Sequence, residues 1–307
     1  MNFEELIVER PNKSVYKDKG RTIKLFVEHY SKANILNEAV NQARVEETSL
    51  NVPSLLEVTK IENRWALISE HIEGTPLDQL MTEHPGKEEE YLNLFVDTQL
   101  KVLGERAPLL GRIKDKMKRK ITETDIVDNG IKFELLQRLE GMPTEYCVCH
   151  GDFHPSNVVV REDGEVYIID WAHVTQGSPV FDAARTYLLF SLEGKKKLAE
   201  KYLALFEEKS GIKRKDILRC VPIVACTQKM KGIPEETSNA IIPITIKPIL
   251  SNKGRLELIA TEDGAASKPY SVFIDDKIAS LADGKIILET GIHNISLISE
   301  FYRNEMR

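Results

Sequence analysis

The stretch from Cys149 to Asp182, CHGDFHPSNVVVREDGEVYIIDWAHVTQGSPVFD, constrains this chain more than any other. It contains His150-Gly151-Asp152 and then Asn157, an HxDxxxxN pattern. An apolar run from Val158, the turn Glu162-Asp163-Gly164-Glu165 and a second run from Val166 to Asp170 follow. Asp-Gly between two β-branched runs is a strong hairpin signal, because a type I′ turn needs positive φ at both central residues. With Asp163 and Gly164 in those positions, Arg161 pairs with Val166, Val159 with Ile168 and Asn157 with Asp170. Directly opposed residues have Cβ atoms roughly 4.5–5.5 Å apart. This register sets an amide oxygen and a carboxylate side by side at the open end of the hairpin. Such a hard-oxygen pair suits a Mg²⁺ that keeps waters and takes its remaining ligands from phosphates. Asp152, in the loop entering the hairpin, is placed to accept a proton from a hydroxyl attacking a metal-bound phosphate.

The rest of the chain sets the bounds. Its 307 residues divide into two or three units of ordinary domain size. A hydrophobic content of 42% and a charged content of 29% are those of a globular protein in water. The net charge of −6 argues against a nucleic-acid-coating protein and is compatible with a cationic small substrate. No apolar run approaches the roughly 18–20 residues of a membrane span, and MNFEELIVERPNK is not a signal peptide, so a cytoplasmic location is expected. Cys147, Cys149, Cys220 and Cys226 read as reduced, buried thiols. A zinc site is disfavoured, since His150 on an alternating strand points away from the first two.

The motifs HGDFHPSN, IIDW and GSPVFDAART resemble the catalytic core of aminoglycoside phosphotransferases, and choline, homoserine and fructosamine kinases are similar. The resemblance spans about residues 10–234. It implies an α+β, two-lobe protein-kinase-like fold: a small β-rich N-lobe over residues 1–73 for the nucleotide, and a larger helical C-lobe over residues 74–234 for the catalytic loop and acceptor. In such enzymes the HxD aspartate, here Asp152, orients or deprotonates the acceptor hydroxyl, while Asn157 and Asp170 hold Mg²⁺. Lys24, in the strand Thr22 to Phe26, matches the lysine that grips the nucleotide phosphates. Glu38, on a helix from about Lys32 to Glu47 capped by Ser31, matches its salt-bridge partner. Ile35, Leu36, Ala39, Val40 and Ala43 form the apolar side of that helix by spacing. Glu70 and Ile72 resemble the hinge whose backbone groups meet the adenine edge. His150 and Asp182 are implied as structural support for the catalytic loop, with Arg185 placed to pair with Asp182 or a neighbouring acid. No Gly-rich phosphate loop exists, and Asn12 to Ser14 occupies its place.

Three further features complete the sequence reading. Gly74-Thr75-Pro76 reads as a flexible joint, an N-cap and a first helical position. Leu92, Phe95, Val96, Gln99, Leu100 and Leu103 keep 3.6 spacing and read as core, whereas Arg112, Lys114, Lys116, Lys118, Arg119 and Lys120 make a run basic enough to suit a phosphate or anionic partner, with a solvated helical face as the favoured reading. Past Gly232-Ile233-Pro234, short β-branched runs such as Ile241 to Ile249, Tyr270 to Ile274 and Asn294 to Ser299 predict a small all-β module over residues 235–307, a sandwich or meander. This tail loosely resembles PEGA-type β modules. The expectation is an ATP- or GTP-dependent kinase acting on a hydroxyl of a small molecule, binding neither nucleic acid nor membrane. The alternative is a nucleotide-binding pseudokinase whose β tail is an interaction module.

Overall fold

The computed structural model describes residues 3–124 and 127–227, together with strands between residues 253 and 299. The chain divides into two compact units, Met1–Ile233 and Pro234–Arg307. The first is an α+β unit that opens with a five-stranded antiparallel sheet of β1 (Glu5–Arg10), β2 (Lys13–Asp18), β3 (Arg21–Phe26), β4 (Leu55–Ile61) and β5 (Arg64–Glu70), in the order β1-β2-β3-β5-β4. Strand β1 is an addition to the sequence reading. Two tight turns fix the sheet register. Lys19 and Gly20 take φ of 51° and 71°, and Glu62 and Asn63 take 46° and 66°. Positive φ at both central residues matches the turn to the right-handed twist of the strands.

Helix α1 (Lys32–Glu46) crosses between β3 and β4, with the Ser31 hydroxyl accepting the Asn34 N–H at its start. Ile35 and Ala39 pack against Phe26 and Leu67 of the sheet. The face buried is rotated from the one the apolar spacing predicts. Leu36 and Val40 are 39% and 45% exposed, whereas Glu38, Asn41 and Gln42 are buried. Polar partners decide this rotation. Lys24 Nζ sits 2.8 Å from Glu38, and Gln42 Nε2 donates to the Pro53 carbonyl at 2.6 Å.

The joint at Gly74 is also not as the sequence suggests. Residues Thr75–Pro76 form a short strand, β6, paired with β8 (Val158–Val160), and α2 (Leu77–Glu83) begins after it, so Thr75 caps no helix. A Cβ on Gly74 would lie 2.7 Å from the Val160 carbonyl oxygen. The glycine is there for close backbone approach rather than flexibility.

The remainder is mainly helical, with α3 (Glu88–Gly104), α4 (Ile113–Glu123), α5 (Asn129–Glu140), α6 (Pro179–Leu192), α7 (Lys196–Ser210) and α8 (Arg214–Cys226), and the short strand β7 (Cys147–Cys149) pairs with residues Thr175–Gly177. Its core centres on Phe95 of α3, whose ring lies 4.8 Å from Phe153, 5.8 Å from Phe190 and 6.1 Å from Tyr202. Among these rings runs a buried polar chain. The Tyr202 hydroxyl donates to Gln99 Oε1 at 2.7 Å, and Gln99 Nε2 donates to Thr186 Oγ1 at 3.2 Å and Asp182 Oδ2 at 3.5 Å. Thr186 in turn donates to the Phe153 carbonyl at 2.8 Å. Gln99 is thus a core position, as its spacing implies, but a polar one.

In the second unit, residues 253–257 pair with 285–289, and 270–274 lie between 277–279 and 295–299, all antiparallel. The expected strand at Ile241 to Ile249 lies outside the described residues.

Replacing Gln99 by Leu keeps the volume but strips partners from the buried Tyr202, Thr186 and Asp182. A group left unsatisfied this way loses about 1–3 kcal/mol. The Gln99→Leu protein is expected to unfold several degrees below wild type by calorimetry. An unchanged transition would mean the chain contributes nothing to stability.

Candidate active site

The site grows from the hairpin of β8 and β9 (Val166–Ile168). The pairs are Val158 with Ile168, Val159 with Tyr167 and Val160 with Val166, one residue off the register expected from a type I′ turn. Arg161 N–H donates to the Glu165 carbonyl at 2.9 Å, and Gly164 N–H donates to the Arg161 carbonyl at 3.0 Å. The loop therefore holds three residues, and only Gly164 has positive φ, at 86°. The Asp163 side chain decides between the two turns. Its Oδ1 accepts the Glu165 N–H at 2.9 Å, a local bond that holds Asp163 at negative φ and leaves the left-handed position to Gly164 alone. Asn157 consequently pairs with Ile169, which donates to its carbonyl at 2.9 Å, and not with Asp170. Asp170 leaves the strand in a left-handed conformation, φ 64° and ψ 61°. That backbone turn, rather than strand register, aims its carboxylate.

The loop from His150 to Asn157 is tied down at nearly every residue. His150 is buried, with Nδ1 accepting the Asp152 N–H at 3.3 Å and Nε2 3.0 Å from the Ile169 carbonyl oxygen. A backbone N–H can only donate, so the ring proton sits on Nε2, and His150 links the loop to the strand that delivers Asp170. Gly151 N–H donates to Asp182 Oδ1 at 2.7 Å, and Asn157 Nδ2 donates to the Asp152 carbonyl at 2.9 Å. Gly151 has φ 76°, and a Cβ there would meet the His173 carbonyl oxygen at 2.5 Å, so no other residue fits. Asp182 lies in the first turn of α6, whose N-cap is Ser178. It is therefore no helix cap but a buried acceptor beneath the loop, its pKa raised by burial against the opposing effect of His150 and its hydrogen bonds.

Above the loop, Lys24 Nζ lies 2.8 Å from Glu38 Oε1 and 2.8 Å from Asp170 Oδ1. Burial alone would lower the lysine's pKa, but the two carboxylates outweigh it and hold it above its ordinary value. Asp170 is held far below the usual carboxylate range by the Lys24 ammonium, against burial, with Lys13 adding to the effect. Lys13 Nζ stands 4.0 Å from the same Asp170 oxygen, and its own pKa is lowered by burial and then by Lys24. The sequence reading singled out Lys24 but not Lys13. Alternation was the signal that finds it: Val15 pairs with Lys24, so Lys13, two residues earlier, shares that sheet face as a diagonal neighbour.

Asp152 Oδ1 accepts Arg185 Nη2 at 2.7 Å, so the acid that Arg185 meets is Asp152 rather than Asp182. The basic run on α4 divides. Lys118 pairs with Glu140 at the exposed surface, whereas Lys116 donates to the His173 carbonyl at 2.8 Å and Lys120 approaches the Thr227 carbonyl at 3.4 Å. Those two lysines line a pocket together with Gly151, so the run is not a wholly solvated face. At the other end of the cleft, Glu70 N–H donates to the Ser54 carbonyl at 2.8 Å and His71 N–H to the Gly20 carbonyl at 3.0 Å. Ile72 makes no backbone hydrogen bond to another described residue. The four cysteines are buried free thiols, Cys149 pushed up in pKa by burial. Among the described residues no cluster of three His, Cys, Asp or Glu side chains forms a metal cage, and no helix is long and apolar enough to cross a membrane.

A depressed carboxyl contributes stability that is present above its unfolded pKa and lost as pH falls through the folded one. For Asp170 the window opens near its ordinary 3.8 and extends downward. The side chain is 35% exposed, so screening keeps the contribution on the order of 1 kcal/mol. Wild type is expected to exceed Asp170→Asn in stability by a constant margin around neutral pH, and the margin should close below about pH 4 in denaturant titrations. A margin independent of pH down to the acid transition would contradict the pairing.

Comparison with known proteins identifies the family and the fold. Residues 14–214 match the APH family, described as the phosphotransferase enzyme family. No curated protein matches the chain in sequence. Among solved structures, aminoglycoside-3'-phosphotransferase of type VIII superposes with a TM-score of 0.55 at 16% identity, covering 74% of this chain and 92% of that one. A thermostable mutant of aminoglycoside phosphotransferase APH(4)-Ia, in ternary complex with ADP and hygromycin B, gives 0.55 at 15% identity, covering 76% and 88%. The phosphotransferase APH(3'')-Id from Streptomyces rimosus gives 0.52 at 17% identity, covering 72% and 91%. At such identities the structures share the fold, and the family match covers well over half of the residues: the chain belongs to the phosphotransferase enzyme family.

Proposed function

We propose that the protein transfers the γ-phosphate of a nucleoside triphosphate, ATP or GTP, to a hydroxyl group of a small molecule. The observation that carries this reading is the double pairing of Lys24 with Glu38 and Asp170, made directly above a loop that presents Asp152. The similar APH(4)-Ia structure with ADP and hygromycin B supports a nucleotide co-substrate and a small-molecule acceptor. Residues 1–73 then serve the nucleotide, residues 74–234 the catalytic loop and acceptor, and residues 235–307 form a separate β module. Nothing in the site favours the pseudokinase alternative.

Each side chain has a physical task. Lys24 and Lys13 face the nucleotide phosphates with two cations, which supplies on the β2–β3 sheet what a Gly-rich loop would supply by backbone N–H groups. The Glu70 carbonyl and the Ile72 N–H meet the adenine edge. Asp152 orients the acceptor hydroxyl and takes its proton, with Arg185 fixing one carboxylate oxygen so that the acid holds one rotamer. His150 and Asp182 keep the loop in place through bonds to its neighbours. The donor set fits Mg²⁺. Asn157 commits its Nδ2 to the Asp152 carbonyl, which leaves its amide oxygen, and Asp170 has a carboxylate, so these two hard oxygens would hold the ion. When bound, the ion neutralises phosphate charge during in-line transfer.

Coupled nucleotide-consumption assays over a panel of hydroxylated metabolites and antibiotics identify turnover and test the roles. Asp152→Asn is expected to lower kcat by about 10²–10⁴-fold with nucleotide affinity intact, the range for loss of a general base. Full turnover by that variant would sink the assignment. Lys13→Ala should instead raise the nucleotide KM by about tenfold, the scale of one charged hydrogen bond, and leave the acceptor KM in place.

A further inference from the structure

Three cations converge on a pocket beside the catalytic loop. Lys116 and Lys120 of α4 and Arg185 of α6 line it together with Gly151, the buried Asp182 and Thr227, and Arg185 links it to Asp152. Arg185 is 7% exposed and has one nitrogen on Asp152, while its Nε is buried without a hydrogen-bond partner. Lys120, on the same pocket wall, has the Thr227 carbonyl at 3.4 Å and no carboxylate within ion-pair distance among the described residues. Arg185 lines the same pocket, and the Lys120 pKa is lowered by burial and next by that guanidinium. The acids that face them are already engaged: Asp152 with Arg185, and buried Asp182 with the Gly151 N–H and Gln99. Two neighbouring cations in a half-buried pocket are unfavourable unless an anion completes them.

We propose that the acceptor hydroxyl belongs to a molecule that also carries an oxyanion, a carboxylate or a phosphate monoester, seated between Lys120 and Arg185. The inference rests on the phosphotransferase reading above and narrows its substrate class. It runs against a polycationic acceptor such as an aminoglycoside, which would place amines against Lys120 and Arg185. The overall charge of −6 points the other way, but a pocket is selected by the charges that line it. Arg185 would reach the oxyanion through Nη1 while Nη2 keeps its bond to Asp152, and this single guanidinium would thereby set the distance from the bound anion to the base.

The test uses the full chain in two arms. In the first, the nucleotide site is filled with a saturating non-hydrolysable ATP analogue and Mg²⁺, and thermal shift is followed with inorganic phosphate, with glycerate and with spermidine. Wild type should be stabilised by phosphate or glycerate and not by spermidine; Lys120→Gln should lose the response, and Lys120→Arg should restore it. The second arm compares turnover of hydroxylated carboxylates and phosphate monoesters with neutral polyols, amino alcohols and aminoglycosides. The expected result is turnover confined to the anionic acceptors, with Lys120→Gln raising their KM at least about tenfold, kcat less affected and nucleotide affinity unchanged. Absence of any anion response in the first arm, or turnover of aminoglycosides in the second, overturns the proposal. Failure to bind the ATP analogue would instead remove the phosphotransferase reading itself, so the two failures are distinguishable.

Discussion

The structure of the site depends on one ammonium group. Lys24 sits in β3, Glu38 in α1 and Asp170 at the far end of the β8–β9 hairpin, yet all three meet within 2.8 Å contacts. Removing one partner from such a group leaves a buried charge without compensation, which is far worse than never having buried it. The position of α1 against the sheet, the rotation that buries Glu38 in place of Leu36, and the left-handed turn at Asp170 all follow from satisfying that one cation. Asp170 adopts φ 64° without being a glycine, a conformation that persists only where its surroundings over-determine it. Here they do so through Lys24 on one side and the His150–Ile169 bond on the other.

The loop from His150 to Asn157 is held by an equally specific arrangement. Phe153 anchors it against the ring of Phe95, which in turn meets Phe190, and Thr186, Asp182 and His150 engage its backbone. Gln99 and Tyr202 then tie those groups into the helical core. In the proposed role of Asp152, a base that must meet a hydroxyl within hydrogen-bond reach needs this rigidity, because misplacement by an ångström is costly in rate. Tyr202, Gln99, Thr186 and Asp182 each find a partner along the polar chain, so it holds the loop without a cost of its own in lost hydrogen bonds.

The charges of α4 show how far a linear reading of a basic run can mislead. Lys114 and Lys118 face outward to carbonyls and to Glu140, as a solvated face should. Lys116 and Lys120 are one helical turn apart on the opposite side, and they look onto the catalytic loop. The helix period sorts one charge run into a surface and a pocket wall.

The amino-acid order alone determined the chemistry available. The HGD triplet, Asn157, IIDW and the lysine in an apolar strand supplied the groups proposed to react and to anchor, because such motifs are local and their residue types follow from the proposed reaction. Local chemistry also fixed the β2–β3 and β4–β5 turns. It misjudged the third hairpin by one residue, since Asp-Gly is compatible with two loop lengths and only the Asp163 side-chain bond selects between them. The tertiary structure decided everything that needed residues distant in sequence to meet: the pairing of Lys24 with Asp170 across 146 positions, Arg185 against Asp152, Lys13 beside Lys24, and Gln99 under Asp182. Those contacts are set by packing and by the requirement that each buried charge find a partner, and neither condition can be evaluated until the chain has folded.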